Sequence, residues 1–492
     1  MKPKMLIGFF VLIFLAGTVN TVPAEPVSKF MDTILPFDNL ETAGYFRNEV
    51  SSKMAGEKDE LLKMKNVMGL KANYRVTDWL SFFTHMKFWY DALYDIEGSY
   101  HDVAFKENND KLRMPLKQEW LRECFFDVYT PRLDARLGKQ QVVWGTTDGV
   151  RILDMVNPLD YREWTLPPYS ETRIPLWMLR LEGEIMMNGH LQLLVIPDYE
   201  PNYYPPAGAP YALRTTVVGA NGISNLERLG VSVSTISEAP ARKLENTKIG
   251  LRWRNIVESG PLSGLEYTLN YLHTYSFASS AYTLIKGFVI PGVGFVPNAF
   301  QLTRRAQQIE VFGASFNKSI TKGIVGDFGK GWTLRGEFAY IKGDAMNIGT
   351  DKSIQDTVDV DQYKYALGFD KTFLTNLGFS FQFIQLISRS KDEYDVGQYT
   401  LLFGPTRGPL DEVETILTCK IFTDFMHERV QPEILVIYGD DNDWRISPKV
   451  SFVINDNWQV AGGFHFFEGK PQHLNGQFDK EDQVFLETQY TW

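Results

Sequence analysis

The chain lacks most of what marks an enzyme, a nucleic-acid binder or a helical membrane protein. Its 492 residues include only two cysteines, Cys124 and Cys419, 295 positions apart. Two distant cysteines make no disulfide framework and are read as free thiols. No Cys-x-x-Cys-His is present to attach a haem. Asp and Glu outnumber Lys and Arg by 60 to 50, a net charge of −10, and no basic block occurs. Phosphate contacts need clustered Lys or Arg, so nucleic acid is not expected as a partner. Past the N-terminus no run approaches about 18 apolar residues, which excludes a transmembrane helix. There is no Gly-x-Ser-x-Gly, His-Glu-x-x-His or Gly-x-x-x-x-Gly-Lys-Ser/Thr. The seven histidines are scattered without metal-ligand spacing. The acidic clusters Asp356, Asp359, Asp361 and Asp440, Asp441, Asp443 match no fixed calcium loop and read as solvated loop acids. No catalytic residue, metal or cofactor is expected.

What the sequence does contain begins at its N-terminus. Lys2 and Lys4 precede an apolar run from Met5 to Ala16, and Val22-Pro23-Ala24 supplies short residues at a cleavage site. This is the layout of a secretory signal peptide over residues 1–24, with 25–39 expected as a periplasmic N-terminal segment.

From about Leu40 onward the dominant period is two. Ile249, Leu251 and Trp253 alternate with Lys248, Arg252 and Arg254; Tyr363, Tyr365, Leu367 and Phe369 alternate with Gln362, Lys364 and Asp370. Leu377, Phe379, Phe381 and Phe383 alternate with Gly378, Ser380 and Gln382. Aromatic residues make up 14% of the chain. Strands of about ten residues with one apolar, aromatic-rich face and one charged face suit a wall between lipid and a polar lumen. Short links at 77–78, 131–132, 187–189, 374–376, 428–431 and 455–457 alternate with long segments at 93–117, 145–175, 198–245, 277–305, 346–358, 390–410 and 469–482. The reading is an all-β, antiparallel up-and-down transmembrane barrel over 40–492, of about 18 strands with 16 as the alternative. Pro448 within the expected strand 444–454 calls for a bulge. The chain ends on Tyr490 and Trp492, a pattern that resembles the terminal signal read by the outer-membrane barrel assembly machinery.

At 138–145 the sequence reads Gly-Lys-Gln-Gln-Val-Val-Trp-Gly, followed by Asp154-Met-Val-Asn-Pro-Leu-Asp160, Glu171-Thr-Arg-Ile-Pro175 and Leu176-Trp-Met-Leu-Arg180. These motifs resemble a large proteobacterial family of outer-membrane barrels grouped as a domain of unknown function. Alginate-export porins and the barrel sheaths of porin–cytochrome conduits are similar. The resemblance implies an outer-membrane location in a Gram-negative bacterium and a transport or conduit role. Lipid, lipopolysaccharide and the assembly machinery follow as partners, with a periplasmic partner or cytochrome as an option.

With apolar faces toward lipid, the lumen receives Lys65, Lys71, Arg75, Lys87, Arg136, Arg180, Lys248, Arg252, Arg254, Arg335, Lys364, Lys420, Arg445 and Lys449. Its acids are Asp91, Glu182, Glu184, Glu266, Glu310, Glu337, Asp370, Glu414, Asp424 and Glu487. The wall is mixed in charge, and Glu266 on the next strand is the expected partner of the Lys248–Arg254 ladder. His85 and His465 also fall on the lumen face. The segment 145–175 carries Val150, Ile152, Leu153, Val156, Leu159 and Trp164 and is too apolar to stand in water. It is expected to fold inward and constrict the lumen, with Arg151, Asp154, Asp160 and Arg173 pinned to wall charges and Asn157 and Trp164 in the same segment. A channel for small solutes is the leading reading. A transporter of hydrophobic molecules, suggested by the apolar loop 279–300, and a cytochrome sheath are the alternatives.

Overall fold

The computed structural model describes residues 39–54, 60–96, 112–115, 118–185, 189–205, 209–212, 232–277, 280–291, 294–321, 329–350, 353–390, 399–400, 413–470 and 473–492. The expected signal peptide lies outside these residues, as does the 25–39 segment except Asn39.

Eighteen antiparallel strands close on themselves. They are β1 Leu40–Lys53, β2 Leu61–Thr77, β3 Leu80–Asp91, β4 Leu121–Tyr129, β5 Leu133–Gln140 and β6 Leu176–Ile185. Next come β7 Gly189–Ile196, β8 Lys248–Ile256, β9 Leu265–Tyr275, β10 Gln308–Ser319, β11 Trp332–Thr350 and β12 Ser353–Phe373. The last six are β13 Leu377–Ser390, β14 Val413–Phe422, β15 Val430–Gly439, β16 Asp443–Val453, β17 Trp458–Glu468 and β18 Gln483–Thr491. Each pairs with its sequence neighbours, and β18 returns to β1 with Glu487 opposite Glu49. Closure leaves no strand edge in lipid, where an unpaired backbone group would cost several kcal/mol. Tyr490 stacks on Trp458 with ring centroids 5.0 Å apart and on Trp492 at 5.9 Å, and the Trp492 backbone exchanges hydrogen bonds with Gly44.

The alternation read from sequence is the wall itself. Ile249, Leu251, Leu367 and Phe369 are exposed outward, whereas Lys248, Gln362 and Gln382 are buried inside. Both cysteines are free. Asn39, Trp492 and the short turns share one end, which the barrel rule makes periplasmic; the long connections lie at the other.

Three expectations need correction. Residues 277–305 and 346–358 are largely not loops: a hairpin of Ser280–Ile290 with Gly294–Arg305 joins Ser232–Glu238 in a separate three-stranded sheet, and β11 and β12 run 19 and 21 residues. At about 3.3 Å per residue these two strands rise roughly 30 Å past the span a barrel strand needs. Pro448 causes no bulge. Pairing of β16 with β17 lapses between Ile446↔Phe466 and Lys449↔Gly463, with two residues skipped on each strand, so nothing is inserted and only ladder bonds are lost. Glu310 faces outward, beside Tyr271 and Lys342, because Ile309 and Val311 hold the inward positions of β10.

Candidate functional site: a filled lumen

The lumen is not uniformly polar. At one level β6, β7 and β9–β15 turn Leu176, Met178, Leu194, Ile196, Leu272, Val311, Ala339, Ile341, Ala366, Ile384, Ile416 and Ile437 inward. Against this band sit Val142, Trp144, Ile152, Leu153 and Val156 of the segment between β5 and β6, all nearly fully buried. Two glycines shape the seat. Gly250 on β8 leaves room for the Trp144 ring, and Gly313 on β10 lies directly against Leu153, so any side chain at either would collide. Trp144 Nε1 donates to Gln192 at 2.7 Å. Glu337 is the polar centre of the seat: its carboxylate accepts from Thr146 N and Oγ1, Thr147 N at 3.0 Å and Leu153 N at 3.2 Å.

The segment is a folded unit. Asn157 donates from Nδ2 to the carbonyls of Gln140 at 3.3 Å and Ile174 at 3.0 Å, and its Oδ1 accepts from Val142 N at 2.8 Å. One side chain therefore joins the outgoing and returning stems. Arg173 donates to Asp154 at 2.7 Å, Arg151 donates to the carbonyls of Asp154 and Asn157, and Arg162 pairs with Asp160 at 2.6 Å and with Glu119 at 2.9 Å. Arg151, Asp154, Asp160 and Arg173 are thus tied within the segment and not to the wall as the sequence suggests. The reason is geometric: the segment turns back on itself, so its own backbone carbonyls lie closer than any strand.

Other groups tie it to the barrel. Asp148 accepts from Arg335 at 2.7 Å and from Gln382 at 3.0 Å; Arg445 donates to Thr165 O at 2.9 Å and Oγ1 at 2.7 Å. Glu163 accepts from Lys63 and Lys65, and Glu171 receives both Arg47 terminal nitrogens at 2.6 Å and Lys87 at 2.8 Å. Burial alone would raise both carboxyls; the neighbouring cations outweigh it and hold Glu163 and Glu171 well below the usual carboxylate range.

A second insertion was not legible. Residues 197–205 run beside the first segment, with Tyr203 bridged to Asp160 and Asn202 accepting from Leu159 N at 2.7 Å. Tyr211 reaches the far wall at Gln483, 3.0 Å away. Trp164, at φ 53°, packs with Tyr161 and with Phe478 from the β17–β18 connection, in one apolar cluster with Leu62, Tyr211 and Phe467 toward the outer end.

The remaining expected lumen groups fall into three sets. Arg254–Glu266 at 2.9 Å and Lys420–Glu433 at 3.0 Å are wall ion pairs; Arg180 lies 3.9 Å from Glu182, which accepts from Gln192. Arg252 donates to Val143 O at 3.1 Å, and Lys248 is buried over the Tyr199 and Phe277 rings at 5.7 and 5.3 Å. Lys364 shares the inward face of β12 with Gln362. Lys71 and Arg75 carry no ion pair among the described residues. Arg75 lines a periplasmic pocket of about 400 Å³ with Asn73, Phe83, Phe125, Asp127 and Arg136. Asp127 receives Arg136 at 2.6 Å.

A family model described as "Protein of unknown function (DUF1302)" matches residues 62–492. No curated protein sequence matches the chain. Among solved structures, OccAB2 of Acinetobacter baumannii shares 11% identity over 93% of this chain and 98% of its own, with a TM-score of 0.50. OccK8 (OprE) of Pseudomonas aeruginosa shares 9% over 93% and 98%, at 0.48. OmpF of Salmonella typhi, solved with daunomycin, shares 10% over 92% and 97%, at 0.41. At such identities the likeness concerns the barrel fold alone.

Proposed function

From the premise that the chain belongs to the DUF1302 family and folds as an outer-membrane β-barrel, we propose a channel of the Gram-negative outer membrane. It passes small hydrophilic solutes through a lumen narrowed by the 145–175 segment. The observation that carries this reading is the uneven fill. The segment covers the apolar band of β6–β15 and meets β1–β3 chiefly through side-chain ion pairs, with the Leu62–Trp164 contact at the outer end and Arg162 over the Trp89 ring beside them. Polar wall is therefore what a passing solute meets, from Lys71 and Arg75 to the periplasmic pocket. Assembly through the Tyr490–Trp492 signal into a bilayer bearing lipopolysaccharide completes the reading.

The alternatives have less support. A cytochrome sheath needs a wide, empty lumen, and here two segments of the chain occupy it. A carrier of greasy molecules needs open apolar lining, and the apolar band is already covered by Trp144, Ile152 and Leu153.

Single-channel recording of the purified protein in a planar bilayer, under two salt gradients, tests the proposal. Stepwise openings with a defined reversal potential are expected, and removal of 147–170 raises the conductance. Heat-modifiable mobility on a gel establishes that each variant is folded. Silence from folded protein, both intact and shortened, would sink the channel reading.

A further inference from the structure

Resting on the channel reading, we infer that the inner wall of β1–β4 is a recognition site for small carboxylates, with Glu171 as its resident occupant. Arg47 presents both terminal nitrogens to the two Glu171 oxygens at 2.6 Å, the forked geometry that matches a planar carboxylate. Lys87 completes the cradle at 2.8 Å, and Arg122 donates to the flanking carbonyls of Arg173 at 2.7 Å and Ser170 at 3.5 Å.

Two further groups have no partner in this arrangement. Lys71 is exposed to the lumen and carries no ion pair, and His85, its register partner, holds a buried Nε2 with no hydrogen bond among the described residues. Glu49 takes the Arg47 Nε at 2.6 Å, which leaves Glu171 as the carboxylate shared by the Arg47 terminal nitrogens and Lys87, with Lys71 unpaired beside them. The cluster is open toward Lys71, and Arg75 lies four residues nearer the periplasm on the same strand, about 13 Å along it. A solute carboxylate arriving on that line meets Arg75 and Lys71, then exchanges with Glu171 at Arg47 and Lys87. Exchange frees one of the segment's anchors while its apolar seat stays in place. Passage and loosening of the constriction are then one event.

The test records single-channel currents from the purified protein in KCl, with and without succinate as the carboxylate probe. Millimolar succinate should change conductance or open time in the native protein. In Glu171→Gln the chloride conductance should rise without succinate, and succinate should act at lower concentration because no resident carboxylate competes for Arg47 and Lys87. Lys71→Gln, which leaves the anchor intact, should weaken the response without changing heat-modifiable mobility. Chloride currents indifferent to succinate in native protein and both variants would overturn the carboxylate site and leave the channel reading standing. Silence in every folded variant, including one lacking 147–170, would overturn both.

Discussion

The two sides of the barrel hold the same inserted segment by different dominant contacts. On β6–β15 an apolar band clasps Trp144, Ile152, Leu153 and Val156 in a dry seat around the buried Glu337, with one ion pair, Asp148–Arg335, at its edge. On β1–β3 the contact is ionic, through Glu163 and Glu171 to Lys63, Lys65, Arg47 and Lys87, with side chains 11–23% exposed. Burial of apolar area is insensitive to salt and to carboxylate titration, whereas partly wet ion pairs respond to both. The comparison teaches where the molecule can give: the seat fixes the segment, and the ionic side decides how firmly the lumen is closed.

The largest effect should come from the seat. Leu153→Ala removes a fully buried side chain and leaves a cavity, costing about 2–5 kcal/mol. Denaturant unfolding in detergent would read this as an earlier midpoint, with larger single-channel conductance beside it. Gly313→Val attacks the same contact from the wall, because a side chain there collides with Leu153. An unchanged midpoint in both variants would mean that the apolar contact is incidental. Next comes Asn157→Leu, which strands the carbonyls of Gln140 and Ile174 and the amide of Val142, at about 1–3 kcal/mol. Here the stems should part, and proteolysis within 141–175 should accelerate.

Smaller still is the effect of loosening the ionic side by acid. Glu163 and Glu171 have depressed folded values, so their contribution is present above the unfolded carboxyl value of about 4.3. It is lost only as pH falls through the much lower folded values. Conductance should therefore hold steady from neutral pH to about 4 and rise only in stronger acid. A rise already near pH 5 would show that these carboxylates do not hold the segment. Raising salt toward about 1 M, where the Debye length is about 3 Å, should loosen the same anchors and leave the seat intact.

This contrast also explains what the sequence could reveal. Period-two alternation is local, so strands such as Lys248–Ile256 and Leu377–Ser390 were legible with their lipid and lumen faces. An inward turn of 145–175 was legible because Ile152, Leu153 and Trp164 are too apolar for a surface loop. Its seat was hidden, since Leu194, Val311, Ile341, Ile384 and Ile437 stand in short apolar stretches on the otherwise polar inward faces of five strands. Only closure brings them to one level. The partners of Arg151 were illegible because backbone carbonyls carry no side-chain signature, and the Arg173–Asp154 pair because only the fold of the segment brings two residues 19 apart together. The insertion of 197–205 is polar and rich in Tyr and Pro, so composition gave it no reason to leave the surface.

The smallest expected effect belongs to the wall pair Arg254–Glu266, 2.9 Å apart but 50% and 37% exposed to the lumen. An ion pair this wet contributes about 0–1 kcal/mol, so Arg254→Gln should leave the unfolding midpoint almost unchanged. Its charge nonetheless faces the solution a solute crosses, and neutralising it leaves Glu266 without its cation. The reversal potential in a salt gradient should then move toward cation preference while stability stays put. A clear loss of stability without that shift would place the pair with the structural contacts of the seat. The reverse result separates charges that hold the segment from charges that only meet the solute.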